Sequence, residues 1–599
     1  MSKQIFSLRA ARRGFSVLEV ILGTAMFAVF SGGIITLLLQ GLETDRLAEE
    51  ESIAGNYASE GLEALRSMKN QSFALLSGTG GAGVDRVGAG GTWAFSGAST
   101  SFGKYVRTVS VSPVARDGSG HVVASGGTAD PLSWKVVSAV TWPVSSARTN
   151  TITLESYLTD WQKPLSPNRG MLVYGDGGTT TDAIRYRIFS GDTNVWSAVS
   201  SVADIDTGTT NRVARAISLF SSSTRDEKIL LSRHANGTTQ YIYGQVWNGS
   251  SWGNVQLLAN WNNNTFLDAQ NFDGAYLSNG DFLAVFGDNT TTPKSRAWNG
   301  SSWSGAISLR ALSGIPSIIT VRARPGTNEA MAAFFNQASD TETQYFGGGA
   351  YQTSSWTLHT THSAVAPSTA LHRVDFAWSA GDSFRGAIVY ADSATDRANT
   401  VKVFTANGTG SGAWSAAVNA SNQGVTATRL GATAVVASPL SALFLSCNKD
   451  TRNDIYCFRA DSTPLWTTPT NNIVTTTSST GTERSFHLAY ERASGDALLV
   501  YSDNTSIPKL RKYAASTNAF DASATSLSAL SGVVRAIRLV PSGGADDVVI
   551  VAADANRRVS TQFWDGSALG SSGARGLVTH GISGVSTTAV WFDFVWDGM

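Results

Sequence analysis

Few residues of this 599-residue chain sit where side-chain type and spacing could do chemistry. Its seven histidines are scattered, and His359-Thr-Thr-His362 is the one close pair. Two imidazoles at that spacing in a strand-like stretch are a weak metal signal, because a metal site needs three or four converging ligands. The plain reading is a surface pair, and no metal or other cofactor is expected. Cys447 and Cys457 are the two cysteines, in the strand-like runs Leu443–Cys447 and Ile455–Phe458. In a chain expected to be exported, such a pair reads as a structural disulfide across a hairpin, the alternative being two free thiols packed as small apolar groups. Without a C-x-x-C spacing it is not a redox centre. The third candidate is Glu19, the one ionisable side chain from Phe15 to Leu39. A carboxylate in hydrocarbon costs roughly 2.5–3.5 kcal/mol on insertion scales, so it calls for a partner.

The element that positions Glu19 is an apolar run long enough to span a bilayer as a helix. Lys3, Arg9, Arg12 and Arg13 precede it, with no acid among the first fourteen residues. Positive charge ahead of an apolar span holds that end in the cytoplasm. An ordinary signal peptide has a shorter apolar core followed by a small-residue cleavage site. Here the basic segment stops at Gly14 and the apolar run starts at once with Phe15-Ser-Val-Leu-Glu19. This stretch resembles the type IV pilin and pseudopilin family: basic leader, Gly14, a mature chain opening on Phe15, and Glu19 as its fifth residue. The resemblance implies cleavage between Gly14 and Phe15 by a prepilin peptidase and N-methylation of Phe15. It also implies assembly, through inner-membrane pilus machinery, into a filament with other pilin subunits. Glu19 would then pair with the Phe15 amine of a neighbouring subunit and set axial register, as buried polar groups do in coiled coils. The alternative is an uncleaved signal anchor.

Composition supports an exported, β-rich chain. Charged residues are 15%, below the usual ~25%, and Gly at 59 residues is above its usual ~7%. Lys+Arg and Asp+Glu balance at 45 each; removing the leader's four bases leaves 41 against 45. With no basic run, nothing marks a nucleic-acid surface, and no nucleic-acid partner is expected.

Beyond the span, Leu47, Ala54, Ala58, Leu62, Leu65 and Met68 recur at mostly three- and four-residue steps. That spacing predicts one long helix, residues 15–70, with 15–39 transmembrane and the remainder amphipathic. Gly32-Gly33 is its weak point. Gly78–Gly91 reads as a loop. Tyr105–Val111, Trp134–Trp142 and Thr151–Leu158 alternate apolar and polar residues, as half-buried antiparallel strands do. A small sheet over residues 71–163, covered on one face by the helix, also resembles the pilin globular domain. Pro164 and Pro167 mark a stiff spacer, residues 164–170.

From residue 171 onward the chain repeats. Trp247-Asn-Gly-Ser-Ser-Trp252 recurs as Trp298-Asn-Gly-Ser-Ser-Trp303, with looser copies ending at Trp196, Trp356 and Gly566. Apolar strands end in a short polar residue at Asp176, His234, Asp288, Asn336, Asp392, Asn448, Asp503 and Asp554, in steps of 58, 54, 48, 56, 56, 55 and 51 residues. A period near 54 with about four strands per unit predicts a β-propeller over 171–599, of eight blades, or seven if one copy is irregular. Asn-Gly between strands predicts type I′ hairpins. The first copy lacks its leading strand and Ala589–Trp596 has no later partner, so pairing the two would close the ring. Trp247, Trp252, Trp298 and Trp303 are candidate sugar-stacking residues, but recurrence at fixed positions favours packing between blades. Ser190-Gly-Asp-Thr-Asn-Val-Trp196 is similar to the Asp-box turn of sialidase propellers, on one blade only. No catalytic constellation is evident.

The expected protein is mixed in class: a pilin-like α+β unit followed by an all-β propeller. It is expected in the bacterial inner membrane and then at the cell surface, as a minor or tip subunit that binds an extracellular glycan or protein. The alternatives are a major pilin or secretion pseudopilin with decorating propellers, and a tethered glycan-processing enzyme.

Overall fold

The computed structural model describes residues 16–71, 73–76, 79–87, 91–117, 121–123, 126–159, 169–175, 183–205, 212–263, 270–364, 373–380, 384–392, 398–419, 430–450, 454–460, 466–467, 485–543, 545–582 and 590–598. The chain divides into two compact units, Met1–Lys163 and Pro164–Met599. Most of the expected spacer lies outside the described residues, but Arg169 and Gly170 already belong to the first strand of the second unit.

The first unit is built on α1 (Val17–Gln71), a single helix of 55 residues that runs unbroken through Gly32-Gly33. It is two surfaces in sequence. From Val17 to Leu42 its large apolar side chains are bare, with Phe27 73% and Leu37 69% exposed. An 18-residue window of this half has mean hydropathy 2.1, so the helix is long and apolar enough to cross a membrane. In the second half Ala54, Ala58, Leu65 and Met68 are buried. With the buried Leu62 they lie three or four residues apart on a single face, as a helix covering a sheet requires.

That sheet contains β1 (Thr79–Ala82), β4 (Thr100–Phe102), β5 (Tyr105–Arg116), β6 (Val122–Val123), β7 (Thr128–Ser145) and β8 (Arg148–Thr159), with the path β1-β5-β7-β8. β2 (Val84–Val87) and β3 (Thr92–Phe95) form a separate hairpin. The loop expected over Gly78–Gly91 is therefore corrected: β1 and β2 lie inside it. Of its glycines Gly83 is the one the packing requires: a Cβ there would stand 2.3 Å from the Ser96 carbonyl oxygen. Gly61 plays the matching part on the helix, since a Cβ there would stand 2.3 Å from Ser138 Oγ on β7. Arg107, 1% exposed, ties the layers by donating to the carbonyls of Tyr57 (3.2 Å) and Val84 (3.0 Å).

The second unit is a β-propeller. Among the described residues it contains eight antiparallel sheets of four or five strands. Their innermost strands touch in chain order: Val213–Ser221, Phe272–Tyr276, Pro316–Ala323, Val374–Trp378, Leu430–Ala437, Phe486–Tyr490 and Val534–Pro541. The last of these touches Phe592–Trp596, which in turn touches Val213–Ser221. Phe592–Trp596 pairs with Arg169–Gly175, so the final strand of the chain completes the first sheet and leaves the ring without an open edge. Cys447 and Cys457 face each other across adjacent strands of the sixth sheet and are joined by a disulfide.

The repeat is a doublet. In the even-numbered sheets the innermost strand has eight or nine residues and carries a register shift near its start, at Ala214/Ala216, Pro316/Ile318, Leu430/Ala432 and Val534/Ala536. In the odd-numbered sheets it has five residues and runs in continuous register. A one-residue bulge bends and twists a strand, so alternate sheets meet the axis differently. The period near 54 is thus half of the true unit. Asp288, Asp392 and Asp503, 104 and 111 residues apart, close the corresponding strands of the third, fifth and seventh sheets.

Candidate functional site

Two places bring polar chemistry to an otherwise apolar setting. The first is the start of α1. Gly14 and Phe15 lie outside the described residues. Ser16 and Glu19 form a reciprocal cap: the Leu18 N–H donates to Ser16 Oγ (3.2 Å) and the Ser16 N–H donates to Glu19 Oε2 (3.2 Å). This satisfies main-chain donors that every helix start leaves open. Glu19 thus has a local task that its place in an apolar span did not suggest, near the start of the exposed apolar half of the helix.

The second is the axis of the propeller. Each odd-numbered innermost strand carries a polar residue in its second position: Asp593, Asp273, Asp375 and His487. Each accepts a main-chain N–H from the next sheet's innermost strand. Leu219 donates to Asp593 (2.9 Å), Val321 to Asp273 (2.8 Å), Val435 to Asp375 (3.0 Å) and Leu539 to His487 Nδ1 (3.3 Å). The inner edge of a propeller sheet has free N–H groups, and these four side chains occupy one on every even sheet. Two arginines from opposite sheets complete a charged girdle. Arg322 reaches Asp273 (3.0 Å) and Asp375 (3.4 Å), and Arg538 reaches Asp593 (2.5 Å). Burial works against the Arg322 charge, but Asp375 and Asp273 outweigh it and hold the guanidinium above its ordinary value. For Asp273 burial prevails, and its carboxyl is held above the usual range despite Arg322 and two main-chain donors.

Two cavities share this girdle. One, about 370 Å³, is lined by Ser218, Gln270, Tyr276 and Phe594 beside Asp273, Arg322 and Arg538. The other, about 400 Å³, runs from Asp375, Arg322 and His487 to Pro439, Arg492 and Pro541. Between them all eight innermost strands contribute to the wall. Sequence reading missed these residues, although a signal exists: an apolar residue, Asp or His, two residues, then an aromatic. It recurs with its polar member at 273, 375, 487 and 593, in steps of 102, 112 and 106 residues.

The tryptophan turns serve packing. Trp247 and Trp298 are 3% and 2% exposed, which corrects their place among candidate sugar-stacking residues. Trp252 and Trp303 are half-buried: Trp252 meets Tyr186 of the preceding sheet edge-on (6.1 Å), and Trp303 Nε1 donates to the Asn254 carbonyl (3.1 Å). Gly244 makes room for Trp303, whose Cζ2 would stand 2.8 Å from a Cβ there. The intervening turns are not type I′, which needs two residues at positive φ; only Gly249 (φ 94°) and Gly300 (φ 91°) have it. Instead the Asn248 and Asn299 side chains fold back to accept the N–H groups of Ser250 and Ser251, and of Ser301 and Ser302.

His359 and His362 are not a surface pair. His359 Nε2 lies 2.6 Å from Glu342 Oε2, whereas His362 Nε2 lies 2.9 Å from Thr343 Oγ1 and packs edge-on to Trp414. Among the described residues no three potential ligands converge on a metal position. Burial, then the charges of Lys402 and His359, push His362 down to about 3. Burial and Arg187 push His580 down to about 3 as well. Both are neutral when folded and would take up protons near their ordinary value of 6.5 when unfolded. The stability they contribute is therefore complete above about 6.5 and lost as the pH falls toward 3. Replacing both by Gln is expected to flatten the fall in melting temperature between pH 6.5 and 4, as read by thermal melts across that range.

No family model matches the chain, and no curated protein sequence does. Among solved structures it is similar to the BP39L lectin from Burkholderia pseudomallei (9% identity, 59% of this chain and 97% of that chain, TM-score 0.39). It is also similar to the Dos1 propeller (8% identity, 66% and 96%, TM-score 0.39) and to Sqt1 from Chaetomium thermophilum (14% identity, 61% and 85%, TM-score 0.39). Likenesses this distant carry no inference about ligands.

Proposed function

We propose that the chain is a type IV pilin-like subunit: α1 anchors it and packs it into a filament, and the propeller presents a recognition surface outside. The observation that carries this reading is the division of α1. One half is packed on its own sheet, while the other leaves an apolar surface bare around a single carboxylate. Covering such a surface first with lipid and then with equivalent helices accounts for both its length and its one polar group. The basic leader and the Gly14–Phe15 junction supply the means of passing between the two states. A minor or tip position suits a unit that carries a bulky ring. Recognition, rather than catalysis, suits an axis whose carboxylates are engaged with main-chain donors and arginines.

Replacing Gly14 by a bulky residue tests the reading. The full-length precursor is expected to accumulate in the inner membrane and to vanish from sheared surface filaments, by immunoblot of both fractions. Unchanged recovery in filaments would refute processing at this junction.

A further inference from the structure

The half-channel of about 400 Å³ is charged at one end and cationic at the other, with apolar wall between. At its inner end Asp375 is engaged by Arg322 and by the Val435 N–H, and His487 by the Leu539 N–H. From there to the rim the wall includes Ala377, Trp378, Ala434, Ala437, Tyr490 and Pro439. Arg492 stands at the rim, five residues beyond His487, or roughly 16 Å at an extended rise of about 3.3 Å per residue. It is solvent-accessible, and among the described residues it has neither an ion-pair nor a hydrogen-bond partner. The protein around it desolvates the guanidinium and lowers its pKa, with no carboxylate to offset that. Next to Pro439 the rim also carries Leu440, 61% exposed.

We propose that this half-channel binds an apolar monocarboxylate, hydrocarbon body inward and carboxylate on Arg492. An unpaired arginine at the mouth of a cavity is a ready carboxylate partner. The paired girdle stops an apolar chain at the inner end, because crossing it would desolvate ion pairs without replacing their contacts. This deepens the recognition half of the proposed function and needs nothing of the helix, so its failure would leave filament assembly untouched.

The test is equilibrium dialysis of the full chain in detergent with 4-phenylbutanoate and with its neutral amide. Wild type is compared with Arg492→Gln and Ala437→Trp in the same detergent, and melting temperatures confirm folding. Saturable binding of the acid is expected, about tenfold or more weaker for the amide and for Arg492→Gln, since a charged hydrogen bond is lost in each. Binding to Ala437→Trp is expected to be absent, because the channel is filled. No saturable binding to wild type, or equal binding of acid and amide, would overturn the proposal. So would an Arg492→Gln variant that binds the acid as wild type does.

Discussion

Glu19→Leu is expected to insert into the membrane normally and to disappear from sheared filaments. Insertion should not suffer, because removing a carboxylate from the span recovers the roughly 2.5–3.5 kcal/mol that its burial costs. Assembly should suffer, because the partner amine of a neighbouring Phe15 would be left buried and unpaired. The cap formed by Ser16 and Glu19 offers a competing explanation, since loss of such a cap costs about 0.5–2 kcal/mol. Glu19→Gln separates the two. Glutamine can still accept the Ser16 N–H, as it does in capping boxes, but carries no charge. If charge pairing directs assembly, both variants are lost from filaments, as measured by quantitative mass spectrometry of sheared material against the membrane fraction. If Glu19→Gln incorporates at wild-type level, the carboxylate acts only as a cap.

Lys228→Ala is expected to cost the propeller about 3–5 kcal/mol, the usual effect of removing one member of a buried ion pair. Lys228 Nζ lies 2.8 Å from Asp597 Oδ1, and both side chains are 1% exposed. Arg169, where the first strand begins, reaches both Asp597 and Asp226, and Asp226 also lies 3.5 Å from Lys228. Four charged groups thus fasten the two ends of the ring to its second sheet, at the seam where Phe592–Trp596 pairs with Arg169–Gly175. Losing Lys228 leaves Asp597 buried with only Arg169. Chemical denaturation should show the loss as a lower midpoint with unchanged slope. Lys228→Met combined with Asp597→Leu should recover part of it, because no uncompensated charge remains. A single variant as stable as wild type would mean that the main-chain ladder alone holds the ring shut.

How far these features could be read from sequence depended on whether their signal is local. The apolar run and the three- and four-residue spacing of Ala54, Ala58, Leu62, Leu65 and Met68 sufficed for α1, because a helix is written in neighbouring residues. Ring closure was legible for a different reason: the first repeat lacked a strand and the chain ended on one without partners. β1 and β2 were hidden in glycine-rich sequence, where long-range pairing overrides a local preference for turns. The doublet was hidden because a bulge is one extra residue with no compositional mark, and because its Asp appears as His487 in the seventh sheet. Arg322 and Asp375 are 53 residues apart, and only the closed ring brings them into contact. The tryptophans drew attention as ligand residues because they recur, yet recurrence marks a packing position that every repeat must fill.

The most direct measurement is the intact mass of the chain recovered from surface filaments. A mass corresponding to Phe15 through Met599 plus one methyl group is expected, with the Cys447–Cys457 disulfide accounting for the loss of two hydrogens. Surface material still carrying Met1 through Arg13 would contradict assembly by a clipped, charge-registered helix, and the span would be a membrane anchor alone.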